Sequence, residues 1–242
     1  MLDFARGVRT RLTFHQAIGS NGIWSPDGSR ILFATNSQLL ADTLVEKAAS
    51  GAGEEKVLFK SPAPKNPVSS WSRDGRFVSY TAAGGVWILP IDGEGAGKPV
   101  NPAPAAPAFL GSFSPDGRWF AYVSIESGAP QVYVIPFAPA GGPPAGKWQV
   151  SKDGSTTGNG SIGTSGIPKW RSDGKEIIFA APNGSPMAVD VTSTPTFQPG
   201  VPKQLFSLPA GAGDWDVTQD HKRFLVAMPL QQQAANTPLT VR

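Results

Sequence analysis

The sequence predicts an all-β protein, a five-bladed β-propeller closed by N- and C-terminal strands that share one blade. Three observations predict this fold: a turn motif that recurs five times, pairs of strand-like runs between its copies, and the lack of sustained helical periodicity. Repeats of about 40–50 residues with four short strands each are typical of propeller blades. A β-sandwich also has many short strands, but it does not repeat one turn motif at this period.

The recurring turn motif is built around an Asp that precedes a Gly in four of its five copies. The copies cover residues 24–28, 71–75, 113–117, 170–174 and 217–221, and their Asp residues are 47, 42, 57 and 47 positions apart. In the first copy, Pro26 presets φ and Gly28 supplies the left-handed position that closes a hairpin. His221 replaces Gly in the fifth copy. Because His is enriched at positive φ, we expect it to serve the backbone of the turn.

Each turn is followed by an apolar pair, four and six positions past the Asp. The pairs are Ile31 and Phe33, Val78 and Tyr80, Phe120 and Tyr122, Ile177 and Phe179, and Phe224 and Val226. A spacing of two places each pair on one face of a strand. Two more strand-like runs then follow: 43–48 with 56–59, 85–91 with 98–101, 131–137 with 147–151, and 186–192 with 203–208. Each repeat is therefore a predicted four-stranded blade.

The two ends of the chain decide how the ring closes. Residues 2–6 and 9–14 read as two outer strands without an inner hairpin before them, whereas residues 214–218 and 222–228 form an inner hairpin near the C-terminus. Joining them completes a fifth blade and leaves no unpaired sheet edge. Residues 237–242 compete for the same place. We therefore expect residues 1–242 to form a single propeller domain, with a fragment of a larger ring as the alternative.

Composition excludes several functional classes. The chain of 242 residues has no Cys, so it has no disulfide framework, thiol nucleophile or Cys-ligated zinc. Its net charge of +3 comes from scattered Lys and Arg, without the basic stripe typical of nucleic-acid binding. No apolar run is long enough to span a membrane. The N-terminus lacks the apolar stretch of a signal peptide, which by itself indicates a cytoplasmic protein.

The repeat resembles a known family. The pattern Trp-Ser-Pro-Asp-Gly-x-x-Ile-x-Phe at residues 24–33 is similar to the TolB-type PD40 (WD40-like) propeller repeat, and the likeness covers nearly the whole chain. Residues 49–55, 113–123, 131–137, 147–151 and 223–226 look like the sensor propellers that follow the membrane anchor of some bacterial serine/threonine kinases. The resemblance implies an extracytoplasmic module that binds a protein or a small ligand. It carries no catalytic site with it.

The propeller topology sorts the candidate binding residues. Loops that enter each inner strand lie on one face, which usually carries the central pocket, and the repeated turns lie on the other. Candidate ligand-binding residues on this pocket face are His15, Asn21, Lys65, Asn66, Asn159 and Lys169. Residues 151–167 form the longest insertion, and their Gly, Ser and Thr content predicts a flap without anchoring contacts. Trp71 and Trp170 begin inner strands, so we expect them to pack in the core.

An alternative function is a hydrolase of esters, lactones or phosphoesters. Ring closure would bring His15 near Asp214 or Asp216, and a His–carboxylate pair can orient a general base or help to bind a metal. Without a second His, Asp214 and Asp216 suit an oxygen-ligated cation such as Ca²⁺ better than zinc. The favoured interpretation is the simpler one, in which His15 is a solvated loop residue and the two carboxylates only accept hydrogen bonds from loop amides. No other cofactor is expected, since the G-x-G-x-x-G match at residues 158–163 lacks a following helix.

Overall fold

The computed structural model describes residues 2–3, 7–9, 11–13, 18–19, 22–36, 43–60, 68–92, 97–104, 107–140, 144–156 and 164–229, and every regular element among them is a β-strand. The strands are β1 (Leu2–Asp3), β2 (Val8–Arg9), β3 (Ile18–Gly19), β4 (Ile23–Trp24), β5 (Arg30–Asn36), β6 (Thr43–Ala48), β7 (Lys56–Lys60), β8 (Val68–Trp71), β9 (Phe77–Ala82), β10 (Gly85–Pro90), β11 (Ala108–Phe113), β12 (Trp119–Ser124), β13 (Gln131–Pro136), β14 (Trp148–Gln149), β15 (Lys169–Trp170), β16 (Glu176–Ala180), β17 (Pro186–Thr192), β18 (Gln198–Pro199), β19 (Lys203–Gln204), β20 (Asp214–Val217) and β21 (Phe224–Ala227). No helix in this described part is long and apolar enough to cross a membrane.

The first four copies of the repeat each form one antiparallel sheet. The first joins β3, β5, β6 and β7, with β4 also paired to β5, and the second joins β8, β9 and β10. The third joins β11 to β14, and the fourth joins β15 to β18, with β19 also paired to β17. In the second sheet Val100 bridges Ile88 and so takes the place of a fourth strand. The predicted succession of short-stranded antiparallel sheets is confirmed.

The outer edge of the fourth sheet differs from the prediction. The run at 203–208 is a strand only at β19, and an additional short strand, β18, pairs with the far end of β17. Pro199 ends β18, and Pro202 lies between β18 and β19. Because proline has no amide hydrogen to donate, the ladder breaks into two short pieces here.

The hydrophobic core lies between successive sheets. Four of the apolar pairs that follow a repeated Asp share a cluster with residues of the preceding sheet. Tyr80 clusters with Leu32, Tyr122 with Ile88, Phe179 with Val134, and Phe224 with Ile178. The alternate residues of the same strands, such as Ala121 and Val123, face the following sheet instead. The second, third and fourth sheets are therefore apolar on both faces, and each packs between two neighbours.

Four of the five repeated turns have the same local pattern of hydrogen bonds. The Ser114 hydroxyl donates to Asp116 Oδ1 at 2.6 Å and accepts from the Trp119 amide at 2.9 Å, while Asp116 Oδ1 also accepts from the Arg118 amide at 3.1 Å. Ser25, Ser72 and Thr218 repeat this pattern in copies one, two and five. The last turn residue has φ of 70°, 78°, 69° and 73° in the four glycine copies and 57° at His221. The expected backbone role of His221 is confirmed.

The two chain ends do not show how the ring closes. The fifth copy contributes the hairpin β20–β21, and β1 pairs with β2 in a separate two-stranded sheet. Among the described strands, no ladder joins these two pairs, and residues 230–242 lie outside the described part. Within the predicted N-terminal region, the described strands are β1 and β2, and residues 4–6, 10 and 14 lie outside the described part. The count of five blades and the shared blade thus stay predictions.

We predict that Ser114→Ala destabilises the protein, whereas Ser127→Ala in the same sheet does not. Ser114 is 2% exposed, and its loss leaves the Trp119 amide without its hydroxyl acceptor. The free energy of unfolding should fall by about 1–3 kcal/mol, as for other buried groups left unsatisfied. The Ser127 hydroxyl is exposed and bonds only locally, to the Ala129 carbonyl, so its removal should change stability by less than about 0.5 kcal/mol. Urea denaturation measures both, and equal losses would contradict the prediction.

Candidate functional site

The sequence-predicted site residues divide into two groups. Lys169, Asp214 and Asp216 belong to the described residues, on β15 and β20. The other five, His15, Asn21, Lys65, Asn66 and Asn159, lie outside the described residues. The predicted meeting of His15 with Asp214 or Asp216 therefore stays a prediction. The described part of the candidate site comprises β15, β20 and the strands beside them.

A central cavity of about 350 Å³ runs between the inner strands, and residues from all five copies of the repeat line it. The residue that precedes the repeated Asp lines it in every copy: Pro26, Arg73, Pro115, Ser172 and Gln219. The position four residues before the Asp contributes Ser70, Ser112 and Lys169. A second space of about 200 Å³, the turn-side cavity, shares Arg73 and Trp170 with the central cavity and includes Asp116 and Asp173.

Lys169 lines the central cavity and forms an ion pair. Its ammonium lies 3.0 Å from Asp216 Oδ1, at the matching position of the next copy. The Lys169 side chain is only 16% exposed, while that of Asp216 is 53% exposed. The sequence placed both residues near the pocket but did not predict their pairing. A cation thus lies in the cavity wall, with its counter-ion on the solvent side.

Asp214 anchors the end of the predicted flap. Its Oδ2 accepts from the Thr164 amide at 2.8 Å, and its Oδ1 accepts from the Ser165 amide at 3.0 Å. Burial raises the pKa of this carboxyl, but hydrogen bonds from Ser165 and the neighbouring backbone amides outweigh burial, and the net pKa lies below its ordinary value. Asp214 is therefore an ionised acceptor for loop amides.

The predicted absence of anchoring contacts in the 151–167 segment is wrong for its described ends. Besides the Asp214 contacts, the Ser155 amide donates to the Pro130 carbonyl at 2.8 Å, and the Thr156 amide donates to the Ala180 carbonyl at 3.1 Å. Composition favoured a free segment because Gly, Ser and Thr bury little apolar surface. The anchors are instead hydrogen bonds to backbone groups and a carboxylate from other parts of the chain, which composition does not reveal.

The two candidate metal-binding carboxylates already have partners. Both oxygens of Asp214 accept amide hydrogen bonds, and Asp216 pairs with Lys169. Within the described ranges, no group of three or more His, Asp or Glu side chains is arranged to hold a metal ion. Any cation at Asp214 and Asp216 would have to displace the loop amides or compete with the Lys169 ammonium.

Arg73 is the functional candidate that sequence reasoning missed. Its side chain lines both cavities, and its one hydrogen bond within the described part is a long one, 3.4 Å from Nη1 to the Ser172 carbonyl. The signal lay in the repeat itself, since the other four copies carry Pro, Pro, Ser and Gln at this position. A charged residue at an otherwise neutral position is not required by the turn, whose hydrogen bonds come from its neighbours.

Trp71 and Trp170 differ in how their indole N–H groups are satisfied. Trp170 is buried and packs against Phe197, with ring centroids 6.2 Å apart, which agrees with the expected core role. Trp71 is half-buried against the core between the first two sheets, and its Nε1 donates to the Gly75 carbonyl at 3.1 Å. The Trp170 Nε1 is buried and has no hydrogen-bond partner within the described part of the chain.

His221 packs on the turn side, between the fourth sheet and the fifth copy. Its side chain is 4% exposed, and Nδ1 lies 2.7 Å from Glu176 Oε1. Burial lowers the pKa of the imidazole; the Glu176 carboxylate opposes this, Arg171 adds to it, Asp173 opposes it, and the net pKa lies below the ordinary value of 6.5. A neutral ring that donates from Nδ1 to Glu176 fits this environment. The residue thus couples the turn to the neighbouring sheet.

No protein-family model matches the chain. Among curated proteins, it is 30% identical over 161 residues to Tricorn protease homolog 1 of Streptomyces coelicolor, which is 66% of this chain. The chain spans about 13% of the length of that relative.

Solved structures agree on the fold. A TolB candidate from Agrobacterium tumefaciens has a TM-score of 0.62 at 15% identity, over 84% of this chain and 71% of that one. TolB from Acinetobacter baumannii has a TM-score of 0.56 at 15% identity, over 80% of this chain and 45% of that one. The Cps50 (Swd1) β-propeller domain of Myceliophteria thermophila has a TM-score of 0.55 at 14% identity, over 95% of this chain and 72% of that one. The chain therefore has an all-β, TolB-like and WD40-like β-propeller fold.

We predict that Asp214→Asn loosens the 164–165 loop, whereas Asp216→Asn does not. The amide group of Asn keeps one acceptor oxygen and places N–H groups against a backbone donor, so one of the two loop amides loses its partner. Hydrogen exchange at the Thr164 and Ser165 amides should accelerate in Asp214→Asn and match wild type in Asp216→Asn. Unchanged exchange in the first variant would refute the anchoring role.

We also predict that His221 makes stability depend on pH near neutrality. Its pKa is lowered in the folded state, so its contribution is complete above the unfolded value of about 6.5 and is lost as the pH falls toward the folded value. Asn tolerates positive φ and does not titrate in this range. From pH 8 to pH 5, the melting temperature of wild type should therefore fall further than that of His221→Asn. Parallel curves would count against the prediction.

Proposed function

We propose that this chain is a non-enzymatic, sensor-type binding module that takes a small ligand or a protein segment at the pocket face of its propeller. The observation that carries the proposal is the central cavity of about 350 Å³, whose charged lining residues within the described part, Arg73 and Lys169, are both cations. Concave sites with a few convergent polar groups are the usual places for ligands in such folds. Lys169 is the described member of the proposed site, and His15, Asn21, Lys65, Asn66 and Asn159 complete it.

We further propose that the ring has five blades, formed by residues 1–242 as one domain. The lining of one cavity by equivalent residues from all five copies supports this number. Leu12 supports the shared blade, because it packs against Ile31 and Phe33, the apolar pair of the first copy. In the other copies this pair faces the preceding sheet, so Leu12 occupies the side on which a closing blade belongs.

The kinase-sensor likeness belongs to the same proposal. Residues 49–55 and 131–137 carry the phrases that look like extracytoplasmic sensor propellers of bacterial serine/threonine kinases. Binding of a ligand or protein outside the membrane, with the signal passed to another segment, fits a domain of this kind. No nucleic acid and no membrane insertion of these residues form part of the proposal.

The hydrolase alternative is less favoured. It needs His15 beside Asp214 or Asp216, yet Asp214 holds two loop amides and Asp216 pairs with Lys169. The word protease in the name of the Streptomyces relative describes a protein of which this chain spans 13%. A divalent cation such as Ca²⁺ enters only under this alternative, and the binding module needs no cofactor.

We predict that Lys169→Gln weakens ligand binding at the pocket face, while Lys175→Gln does not. A thermal-shift screen of small acids, amines and sugars should yield compounds that stabilise wild type and lose affinity by about tenfold in Lys169→Gln, since a charged hydrogen-bond donor is lost. Lys175 is exposed in the turn of the same sheet and is the matched control.

A parallel assay of ester and phosphotriester turnover tests the alternative. The binding module predicts no turnover, with or without chelator. Turnover that depends on a bound metal and disappears in His15→Ala and Asp214→Ala would replace the proposed function with the hydrolase.

A further inference from the structure

One departure from the repeat lies in the wall of the central cavity. Arg73 stands where the other four copies have a neutral residue. It lines both the central cavity and the turn-side cavity. It does not serve the turn, because the turn hydrogen bonds are made by its neighbours. Arg73 therefore places hydrogen-bond donors beside an open space.

The charges around these donors leave Arg73 as a cation without a carboxylate partner in the described part of the chain. The turn-side cavity also has Asp116 and Asp173 in its wall, but each is paired within its own turn. Arg118 Nε lies 2.7 Å from Asp116, and Arg171 Nε lies 2.9 Å from Asp173. Lys169 is likewise paired, with Asp216. The unbalanced positive charge therefore resides on Arg73.

The donor geometry selects the kind of anion. A guanidinium has five N–H donors in a planar fork that matches a planar oxyanion, and Arg73 spends one of them on the long bond to the Ser172 carbonyl. The nearby Asp116 and Asp173 carboxylates would repel a second negative charge on the ligand more strongly than a single one. A monoanionic carboxylate fits these conditions better than a phosphate dianion.

The size of the space beside Arg73 limits the ligand. The two cavities, about 200 and 350 Å³, leave room for a small organic acid with a short apolar chain against Pro115.

We propose that the turn-side cavity binds a small monocarboxylate, with the Arg73 guanidinium as its charge partner. This inference rests on the proposed binding function and deepens it by naming a ligand class and a second position next to the central cavity. The pocket-face site depends on Lys169, whereas this one depends on Arg73.

The experiment compares butyrate with butyramide, its neutral analogue of nearly equal shape. At constant ionic strength, butyrate should raise the melting temperature of the purified chain in a saturable way, and butyramide should not. Arg73→Gln should weaken butyrate binding by about tenfold or more, as expected for loss of a charge-assisted bond. Arg76→Gln is the matched control: Arg76 belongs to the same hairpin, pairs with Asp92 at 3.8 Å and lines neither cavity, so its loss should leave binding unchanged.

The comparison of Arg73→Gln with Arg76→Gln decides the role of the guanidinium. Equal responses to butyrate and butyramide, or full butyrate affinity in Arg73→Gln, would overturn the proposal. Tighter binding of inorganic phosphate than of butyrate, lost in Arg73→Gln, would overturn the carboxylate assignment.

The failure of this inference and that of the proposed function look different. If butyrate does not bind but screened ligands remain sensitive to Lys169→Gln, only the Arg73 site is refuted. If screened ligands are indifferent to Lys169→Gln while butyrate binding depends on Arg73, only the pocket-face site is refuted.

Discussion

Burial of both faces of the second, third and fourth sheets is the constraint on which this structure depends. In the third sheet, Phe120 and Tyr122 pack toward the second sheet, while Ala121 and Val123 on the same strand pack toward the fourth. A sheet with two apolar faces is covered only by two neighbouring sheets. Sheets that each need two neighbours, and that twist relative to one another, arrange naturally around an axis. Residues from all five copies of the repeat line the central cavity, so this space is a direct consequence of how the core is built.

The hydrogen bonds of the turns explain why some side chains that line the central cavity are free to vary. In each hairpin the Asp and the Ser, Thr or Arg two positions before it satisfy the local donors and acceptors. The residue between them takes no part in these side-chain bonds, and in all five copies it lines the cavity. Pro at this position leaves a neutral wall, whereas Arg73 adds charge. In a repeated scaffold of this kind, some positions stabilise the fold, and others determine the charge and shape of the cavity wall.

The strands and turns were predictable because they depend on neighbours in the sequence. The positive φ of His221 followed from its alignment with four glycines, and the facing of Tyr80 and Tyr122 followed from a spacing of two. The site was predicted less well. Lys169 was placed at the pocket, but its pairing with Asp216 was not predicted. A role for Asp214 as an acceptor for loop amides was expected from the sequence, but not that the amides belong to residues 164 and 165. The partners in these contacts are about 50 positions apart.

Taken alone, the amino-acid sequence determined the repeat, the turn type, the alternation of apolar side chains and hence the propeller architecture, because each follows from interactions within one hairpin. The tertiary structure decided which polar groups meet: the loop held by Asp214, the ion pair that occupies Asp216, and the place of Arg73 beside Trp170 in one cavity. Such meetings depend on the packing of whole sheets against one another. Their partners come from different copies of the repeat, so no local pattern of residues specifies them.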